Sequence, residues 1–452
     1  MVHKNYNPLV FSPFNSVMEE LLQSEVMIIV NNTFKRGKKV LLMPTKEQEQ
    51  LFWQFAGTRR FIYNWALDLQ MKSYEENGKL ISFKELHHLI VNLKNNDNSF
   101  KWLKDVSCDV AKQAIKDLET AYSNYFKKMK QPNYKPYSAK QLSHSKRISK
   151  PLTTYDKNGY PKFKKKLKSE ESFHQDCMHI QFKGNKIFIA KIGWVKIGKH
   201  NPFPQGKSGT DFKIYNAKVK FSGDKWYFVA AIDVDIFNKE QSKSEPIGID
   251  LGIKDLAILS NGEKYKNINK TNRIKKLEKR KIRLQKKLSR KFEANKEGTK
   301  FIKTQNIIKL QKQIYKIETR LKNIRKDYNH KFTSSVVKRN PIFIAIEDLN
   351  VSGMMKNKHL SKHIQNQSFN TIRTYFTYKC KEQNIPLYIV DRFYPSSKIC
   401  SCCGSIKHNL KLSDRIYKCN QCGNVIDRDI NAAINLRNYG QIEYNKSINI
   451  AL

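Results

Sequence analysis

Apolar residues change their spacing several times along this chain, and each change marks a new kind of element. From residue 45 to 130 the spacing is helical. In SCDVAKQAIKDLETAYSNYF, Val110, Ala114, Leu118, Ala121 and Tyr125 fall on one face, as an amphipathic helix requires. TKEQEQLFWQFAGTRRFIYNWALDLQMKSYEENG and SFKELHHLIVNLK predict further helices. Thr45, with Gln48 three residues on, makes a capping box for the first of them. Residues 131–174 lose this period and become rich in Lys, Tyr, Pro and Ser, which reads as a basic connector. Over 175–243 short alternating runs such as MHIQFKGNKIFIAKIG and YNAKVKFSGDKWYFVAAIDVD predict an antiparallel β-barrel or meander. The strand-like run at 29–44 joins it, with the helical part inserted between.

From residue 244 strands alternate with helices. IGIDLG pairs with AILSNGEKY through an Asn261-Gly262 turn. PIFIAIEDLN and PLYIVDRF predict buried strands. Residues 271–338 form a long helical pair. In it Leu310, Ile314, Ile317, Leu321, Ile324 and Tyr328 make a seam for a second helix. INAAINLRNYG closes this part as a helix. The chain thus divides into an N-terminal extension (1–28), a first barrel strand (29–44), a helical domain (45–130), the connector (131–174) and the remaining barrel (175–243). An α/β part follows over 244–394 with its helical insertion at 271–338, then a Cys-rich unit (395–425) and the second α/β part (426–452). The fold class is multidomain α+β. The residues before Met27 match no pattern, which leaves Met27 as an alternative start.

Charge narrows the function. The 452 residues carry a formal charge of +45 with 39% hydrophobic content. Such a chain has real cores but needs a polyanion to offset its self-repulsion. Nucleic acid fits best, because Lys and Arg displace condensed counterions from phosphate. No apolar run approaches the roughly 20 residues that span a bilayer, so no membrane partner is expected. The run VMIIV is too short for a signal peptide and follows Glu19, Glu20 and Glu25. Eight cysteines occur: four in metal-type pairs, and Cys108, Cys177, Cys380 and Cys402 scattered. This is no secreted disulfide framework, and a reducing, cytoplasmic compartment is expected.

Three motifs carry chemistry. Cys400, Cys403, Cys419 and Cys422 form two C-x-x-C pairs fifteen residues apart. Two turns that each offer two thiolates suit tetrahedral zinc, and four thiolates leave no open position for water, so the site is structural. The second motif is acidic. Asp250 lies inside the apolar run IGIDLG, Glu347 ends IFIAIE, and Asp427 and Asp429 open a helix. Carboxylates in apolar strands are costly unless paired or metal-bound. They are either a shared site for two divalent cations of a phosphodiesterase or ion-paired strand ends with a capping Asp. The third motif is basic. RIKKLEKRKIRLQKKLSRK, with Arg273, Lys276, Arg280, Arg283 and Lys287, is either a solvated face or the lining of a nucleic-acid channel. In TRRFIYNWALDL, Arg59, Arg60, Tyr63 and Asn64 are candidates to touch duplex phosphates or base edges. Alternatively, Tyr63 and Asn64 complete a helical core.

IGIDLGIKDLAI, AIEDLNVSGM, DRFYPSSKICSCCG and CGNVIDRDINAAINL resemble the signature blocks of the TnpB (OrfB) proteins of bacterial insertion sequences, relatives of the compact type V CRISPR effectors. PTKEQEQL, RFIYNWAL, YPKFKKK and KIGWVKIG extend the resemblance upstream, so that it covers roughly residues 35–440. It implies a RuvC-like, RNase H-type nuclease domain with a zinc ribbon, plus a β-barrel wedge domain holding an inserted helical recognition domain. It implies a guide RNA and target double-stranded DNA as partners, and Mg(II)-dependent DNA cleavage beside a short adjacent motif. The protein would be a monomer or dimer in the bacterial cytoplasm, at the nucleoid when bound. Carried over by position, Asp250 matches the first-strand Asp, Glu347 the Glu of the EDL block, and Asp429 the third metal ligand, with Asp427 as second choice. The helix with Arg59 to Asn64 would help read the adjacent motif. A CRISPR effector of the same fold, or a non-catalytic RNA-guided DNA-binding regulator, are the alternatives. The extension before Met27, the first strand TFKRGKKVLLMPT and Cys402 depart from the family pattern.

Overall fold

The computed structural model describes residues 33–149, 151–166, 170–236, 244–298, 300–357, 359–411 and 413–451. The N-terminal extension, the run from Met27 to residue 32, and the link at 237–243 lie outside the described residues.

The first half is a sheet with helices packed on it. Strand β1 (Thr33–Met43) is followed by helices α1 (Lys46–Asn77), α2 (Phe83–Asn96), α3 (Cys108–Met129) and α4 (Ala139–Arg147). Thr45 and Gln48 close a capping box at the start of α1, and Gly78 ends it in the left-handed conformation. Seven strands follow: β2 (Ser172–His174), β3 (Gln181–Lys183), β4 (Lys186–Ile189), β5 (Gly193–Ile197), β6 (Gly206–Lys207), β7 (Ile214–Ser222) and β8 (Lys225–Asp235). With β1 they form an antiparallel sheet of order β2-β7-β8-β1-β5-β4-β3-β6. The order ends at β2 and β6 and does not close on itself among the described residues. Phe52 and Phe55 of α1 enter the sheet's core beside Phe173, Phe182, Phe228 and Trp226. A second core, built on Ile62, Ala66, Leu86, Ile115 and Leu118, joins α1, α2 and α3.

The second half begins with β9 (Ile247–Leu251), β10 (Asp255–Leu259) and β11 (Lys264–Lys266), an antiparallel meander. Helices α5 (Asn272–Ala294) and α6 (Gln305–Val337) then make a long pair, joined by the short strands β12 (Lys296–Glu297) and β13 (Lys300–Phe301). Ile317, Leu321 and Ile324 of α6 meet Ile274, Leu277 and Leu284 of α5. The rest of α5 is solvated, and Ile274 is its one buried residue. Strand β14 (Ile344–Glu347) leads through α7 (Val351–Met354), α8 (Ser361–Gln367) and α9 (Phe369–Glu382) to β15 (Leu387–Val390). The Cys-rich segment contributes β16 (Ile416–Lys418) and β17 (Val425–Asp427), and α10 (Arg428–Ala451) follows. The sheet order is β11-β10-β9-β14-β15, with β9, β14 and β15 parallel. Helices α6 and α9 cover one face through Phe332, Val336, Ile372 and Phe376.

The halves touch at named points. Arg36 of β1 pairs with Glu382 of α9, and its guanidinium lies over the Tyr378 ring at 4.5 Å. Across the β7–β8 turn, the Gly223 amide donates to the Tyr315 hydroxyl at 3.2 Å and Asp224 pairs with Lys316 at 3.2 Å.

Candidate nuclease site and zinc cluster

Strand alternation decides which acids share a face. Asp250 lies two residues beyond Gly248 on β9, and Glu347 lies two beyond Ala345 on β14. β9 and β14 pair in parallel with Ile249 opposite Ile346. Asp250 and Glu347 therefore follow at the carboxyl ends of adjacent strands, on the same face. Helix α10 packs on that face. A Cβ on Gly248 would stand 2.0 Å from the Ala433 carbonyl oxygen and 2.6 Å from the Arg437 amide nitrogen. A Cβ on Gly440 would meet the side chains of Phe343 and Ala345 at 2.6 and 2.9 Å. These close approaches fix α10 across the sheet. Asp429 is one helical turn before Ala433, at the end of α10 that reaches the strands' carboxyl ends.

Gly248→Ala is thus expected to lift α10 off the sheet, because the obstructing atoms are backbone. Overpacking of this kind costs about 1–3 kcal/mol or more. A denaturation midpoint unchanged from wild type would contradict this packing.

The electrostatics of the site are unusual for acids in so basic a chain. Among the described residues, the carboxyl of neither Asp250 nor Glu347 accepts a hydrogen bond or pairs with a cation. Burial, and then the charges of Glu347 and Asp429, raise the Asp250 carboxyl from 3.8 to about 8, against the opposing pull of Arg428. Burial and the adjacent Asp348 also raise Glu347. Asp348 is held by Arg373 and Arg392, the latter at 2.6 Å. Asp429 is turned toward cations: Arg428 at 3.1 Å and Arg415 at 3.9 Å. The oxygens of the three acids are not drawn within 4.8 Å of one another, a separation that only the four thiols meet among the described residues. Asp429 is ion-paired with Arg428 and Arg415 while its charge still reaches Asp250.

Asp427 does different work. Its Oδ1 accepts from the backbone amides of Asp429 and Ile430 at 2.9 and 3.3 Å, and its Oδ2 accepts from Lys264 at 2.8 Å. Those bonds hold its carboxyl below the usual range against the cost of burial. It caps α10, with both oxygens engaged.

The raised Asp250 carboxyl gives a pH prediction. The unfolded chain releases this proton near 3.8, whereas the folded chain keeps it to about 8. Between those values the folded state binds more protons, so stability falls as pH rises. In magnesium-free buffer the melting temperature is expected to drop across this window, and Asp250→Asn to flatten the drop. Parallel pH profiles for the two proteins would refute it.

The thiols are arranged for one metal. Cys400 and Cys422 Sγ atoms are 3.6 Å apart, as are those of Cys403 and Cys419. A tetrahedron with zinc–sulfur bonds of about 2.3 Å has edges of about 3.8 Å. Gly404 and Gly423 take φ of 77° and 70° at the turns that present these pairs. The Cys422 amide leads the hydrogen bonds that favour the Cys419 thiolate. Soft donors, spacing and turns all fit zinc. Cys402 is exposed and stands outside the cluster. Two buried asparagines fasten this unit to α10: Asn431 Nδ2 donates to Ile399 O, and Asn435 Nδ2 to Ser396 O and Ile399 O, each at 2.7 Å. The Ser401 amide donates to Asn431 Oδ1 at 2.9 Å.

The basic candidates divide. Arg273, Lys276, Arg280, Arg283 and Lys287 are all exposed along one face of α5, and none has an acidic partner among the described residues. Arg59 and Arg60 are both engaged within the protein. Arg59 is buried, pairs with Asp117, and donates to the Ser172 hydroxyl at 2.8 Å. Arg60 binds buried Glu171 at 2.6 Å. Tyr63 is buried, and Asn64 exchanges two hydrogen bonds with the Lys164 backbone, at 2.9 and 2.7 Å. These four tie α1 to α3, the connector and β2. Sequence reasoning passed over Arg428, Arg415, Lys264, Asn431 and Asn435. Only Arg428, set between the two aspartates, carried a local signal.

An α/β sheet with unpartnered carboxylates at its parallel strand ends, next to a four-thiol metal site, defines a candidate metal-dependent nuclease. Residues 228–358 match the family described as "Probable transposase", 33–79 a "Helix-turn-helix domain" of OrfB proteins, and 369–436 a "Cas12f1-like, TNB domain". In this structure residues 33–79 hold one strand and a single long helix. The chain is 27% identical over 403 residues to a "Putative RNA-guided DNA endonuclease" of Streptomyces pristinaespiralis, covering 89% of this chain and 88% of that one. It is 28% identical to "Putative RNA-guided DNA endonuclease InsQ" of Escherichia coli K12, over 88% and 90% of the two chains. The fold resembles that of the protein in a Cas12f1–sgRNA–target DNA complex, with TM-score 0.52 at 13% identity over 90% of this chain and 99% of that one. Along nearly nine-tenths of its length the chain is thus similar to the TnpB (OrfB) proteins of insertion sequences. No helix among the described residues is long and apolar enough to cross a membrane.

Proposed function

We propose that the protein is an RNA-guided DNA endonuclease of RuvC-like type. In this reading the guide RNA and target DNA lie along the basic surfaces, including the cationic face of α5. Asp250, Glu347 and Asp429 hold Mg(II), the four cysteines hold a structural zinc, and the protein acts in the cytoplasm. The observation that carries the proposal is the pair Asp250 and Glu347, two carboxylates side by side at parallel strand ends, neither of them ion-paired among the described residues. Bound Mg(II) would supply an activated water and stabilise the leaving oxygen of a phosphodiester.

The protein's own part is to place the charges. β9 and β14 hold two carboxylates in fixed register, and the capped start of α10 brings the third. Arg428 and Arg415 occupy Asp429 until a stronger cation draws it inward. Lys264 and the α10 amides keep Asp427 out of the ligand set. The exposed stripe on α5 offers five cations to phosphates without reading sequence.

Sequencing of RNA recovered with the purified protein tests the proposal first. A discrete RNA species is expected, and the protein charged with it should cut matching duplex DNA only when Mg(II) is present. Recovery of no discrete RNA, or cutting that ignores the RNA sequence, would end the RNA-guided reading.

A further inference from the structure

Phe393 is 85% exposed, well beyond the next large apolar side chain, Val425 at 60%. It lies three residues after Val390, which pairs with Glu347 across the β14–β15 ladder. At no more than about 3.5 Å per residue, its backbone lies within about 11 Å of Val390. Val390 in turn is one strand spacing, about 4.8 Å, from Glu347. The Phe393 backbone therefore lies within about 16 Å of Glu347, beyond the carboxyl end of the neighbouring strand.

The turn that presents it is braced. The Phe393 amide donates to Asp391 Oδ1 at 2.8 Å, and the Tyr394 amide to the Asp391 carbonyl at 3.0 Å. Tyr394 packs edge-on to Tyr439 of α10, with ring centroids 5.0 Å apart. On the other side Arg392 is tied to Asp348, the neighbour of Glu347. With both flanking residues anchored, Phe393 is held out in water. Arg392, its chain neighbour, and Arg373, which shares Asp348 with Arg392, remain 43% exposed. An exposed apolar ring on the same turn as a half-exposed cation can bind a single strand, with the base on the ring and a phosphate on the cation.

We propose that Phe393 is a stacking platform for an unpaired base of the DNA strand at the carboxylate site, and so a positioning residue for cleavage. This rests on the nuclease reading above. Stacking of one base on an aromatic side chain typically corresponds to about a tenfold to hundredfold effect.

The test is single-turnover cleavage by the full protein with its guide RNA, using target strands that carry one abasic nucleotide scanned across the cut region. In wild type, one position flanking the cut is expected to slow cleavage by about tenfold or more. Phe393→Ala is expected to slow the intact strand by a similar factor and to be indifferent to the abasic nucleotide there. Phe393→Trp is expected to restore both rate and sensitivity, and guide retention and target binding should be unchanged in each variant. Phe393→Ala that cuts as fast as wild type, keeps the wild-type abasic profile, or instead loses its guide RNA overturns the platform while leaving the nuclease reading intact. A wild type that cuts nothing defeats the nuclease reading, and this proposal with it.

Discussion

Asp250→Ala is expected to abolish guided DNA cleavage, by about three orders of magnitude or more, while guide and target binding survive. The Asp250 side chain makes no contact that the fold uses: its carboxyl accepts no hydrogen bond and forms no ion pair among the described residues. Burial and two like charges hold its carboxyl up at about 8 in the metal-free protein. Its removal relieves the cost of burying, and near neutral pH of protonating, a carboxyl that the unfolded chain leaves ionised, so the variant should be at least as stable as wild type near neutral pH in magnesium-free buffer. A nuclease-dead protein with unchanged or higher melting temperature is the distinctive outcome. A variant that cuts at the wild-type rate with Mg(II) would remove Asp250 from the site. One that is inactive because it unfolds would show that the carboxylate is structural.

Cys419→Ser is expected to have the second largest effect. Losing one of four thiolates from a structural zinc site forfeits much of a binding free energy of about 10–16 kcal/mol that is also folding free energy. The damage should not stay local. Asn431 and Asn435 of α10 are hydrogen-bonded to the backbone at Ile399 and Ser396, beside the first cysteine turn. β17 of the same unit ends in Asp427, whose carboxylate caps α10 just before Asp429. Loss of zinc should therefore misplace Asp429 and stop cleavage, although the metal itself takes no part in the chemistry. Zinc content, measured by mass, should fall with activity. Full zinc occupancy with full cleavage in Cys419→Ser would refute the assignment. A matched Cys402→Ser change, at an exposed residue outside the cluster, should do neither.

Different parts of this molecule were legible to different degrees. The four cysteines were readable because zinc dictates ligand type and turn spacing, both of which are local. Asp250 and Glu347 stood out as acids inside apolar strands, a contradiction visible in a few residues. The ion pairs of Arg59 and Arg60 were not legible, because a positive charge in a sequence does not declare its partner. Asp117 and Glu171 lie 58 and 111 residues away from them, and only the packing of α1 on α3 and β2 brings them close. Asp427 and Asp429 look equivalent in DRD. Helix geometry separates them, since the residue ahead of the first turn is used up on free amides. The same limit hid Asn431 and Asn435, ordinary polar residues whose weight comes from burial.

The close fit of α10 over Gly248 also has a consequence for the time course of synthesis. Domains made N-terminal first can fold as they leave the ribosome, and β9 and β14 emerge long before residue 429. The carboxylate pair then exists without its third member, on a sheet face that the missing helix has yet to cover. On the proposed reading, a nascent chain in that interval would hold nucleic acid on α5 yet lack the acid that completes the site. Assembly of the cutting centre would thereby be tied to late synthesis, and a chain interrupted before the cysteine unit would be a binder without a blade.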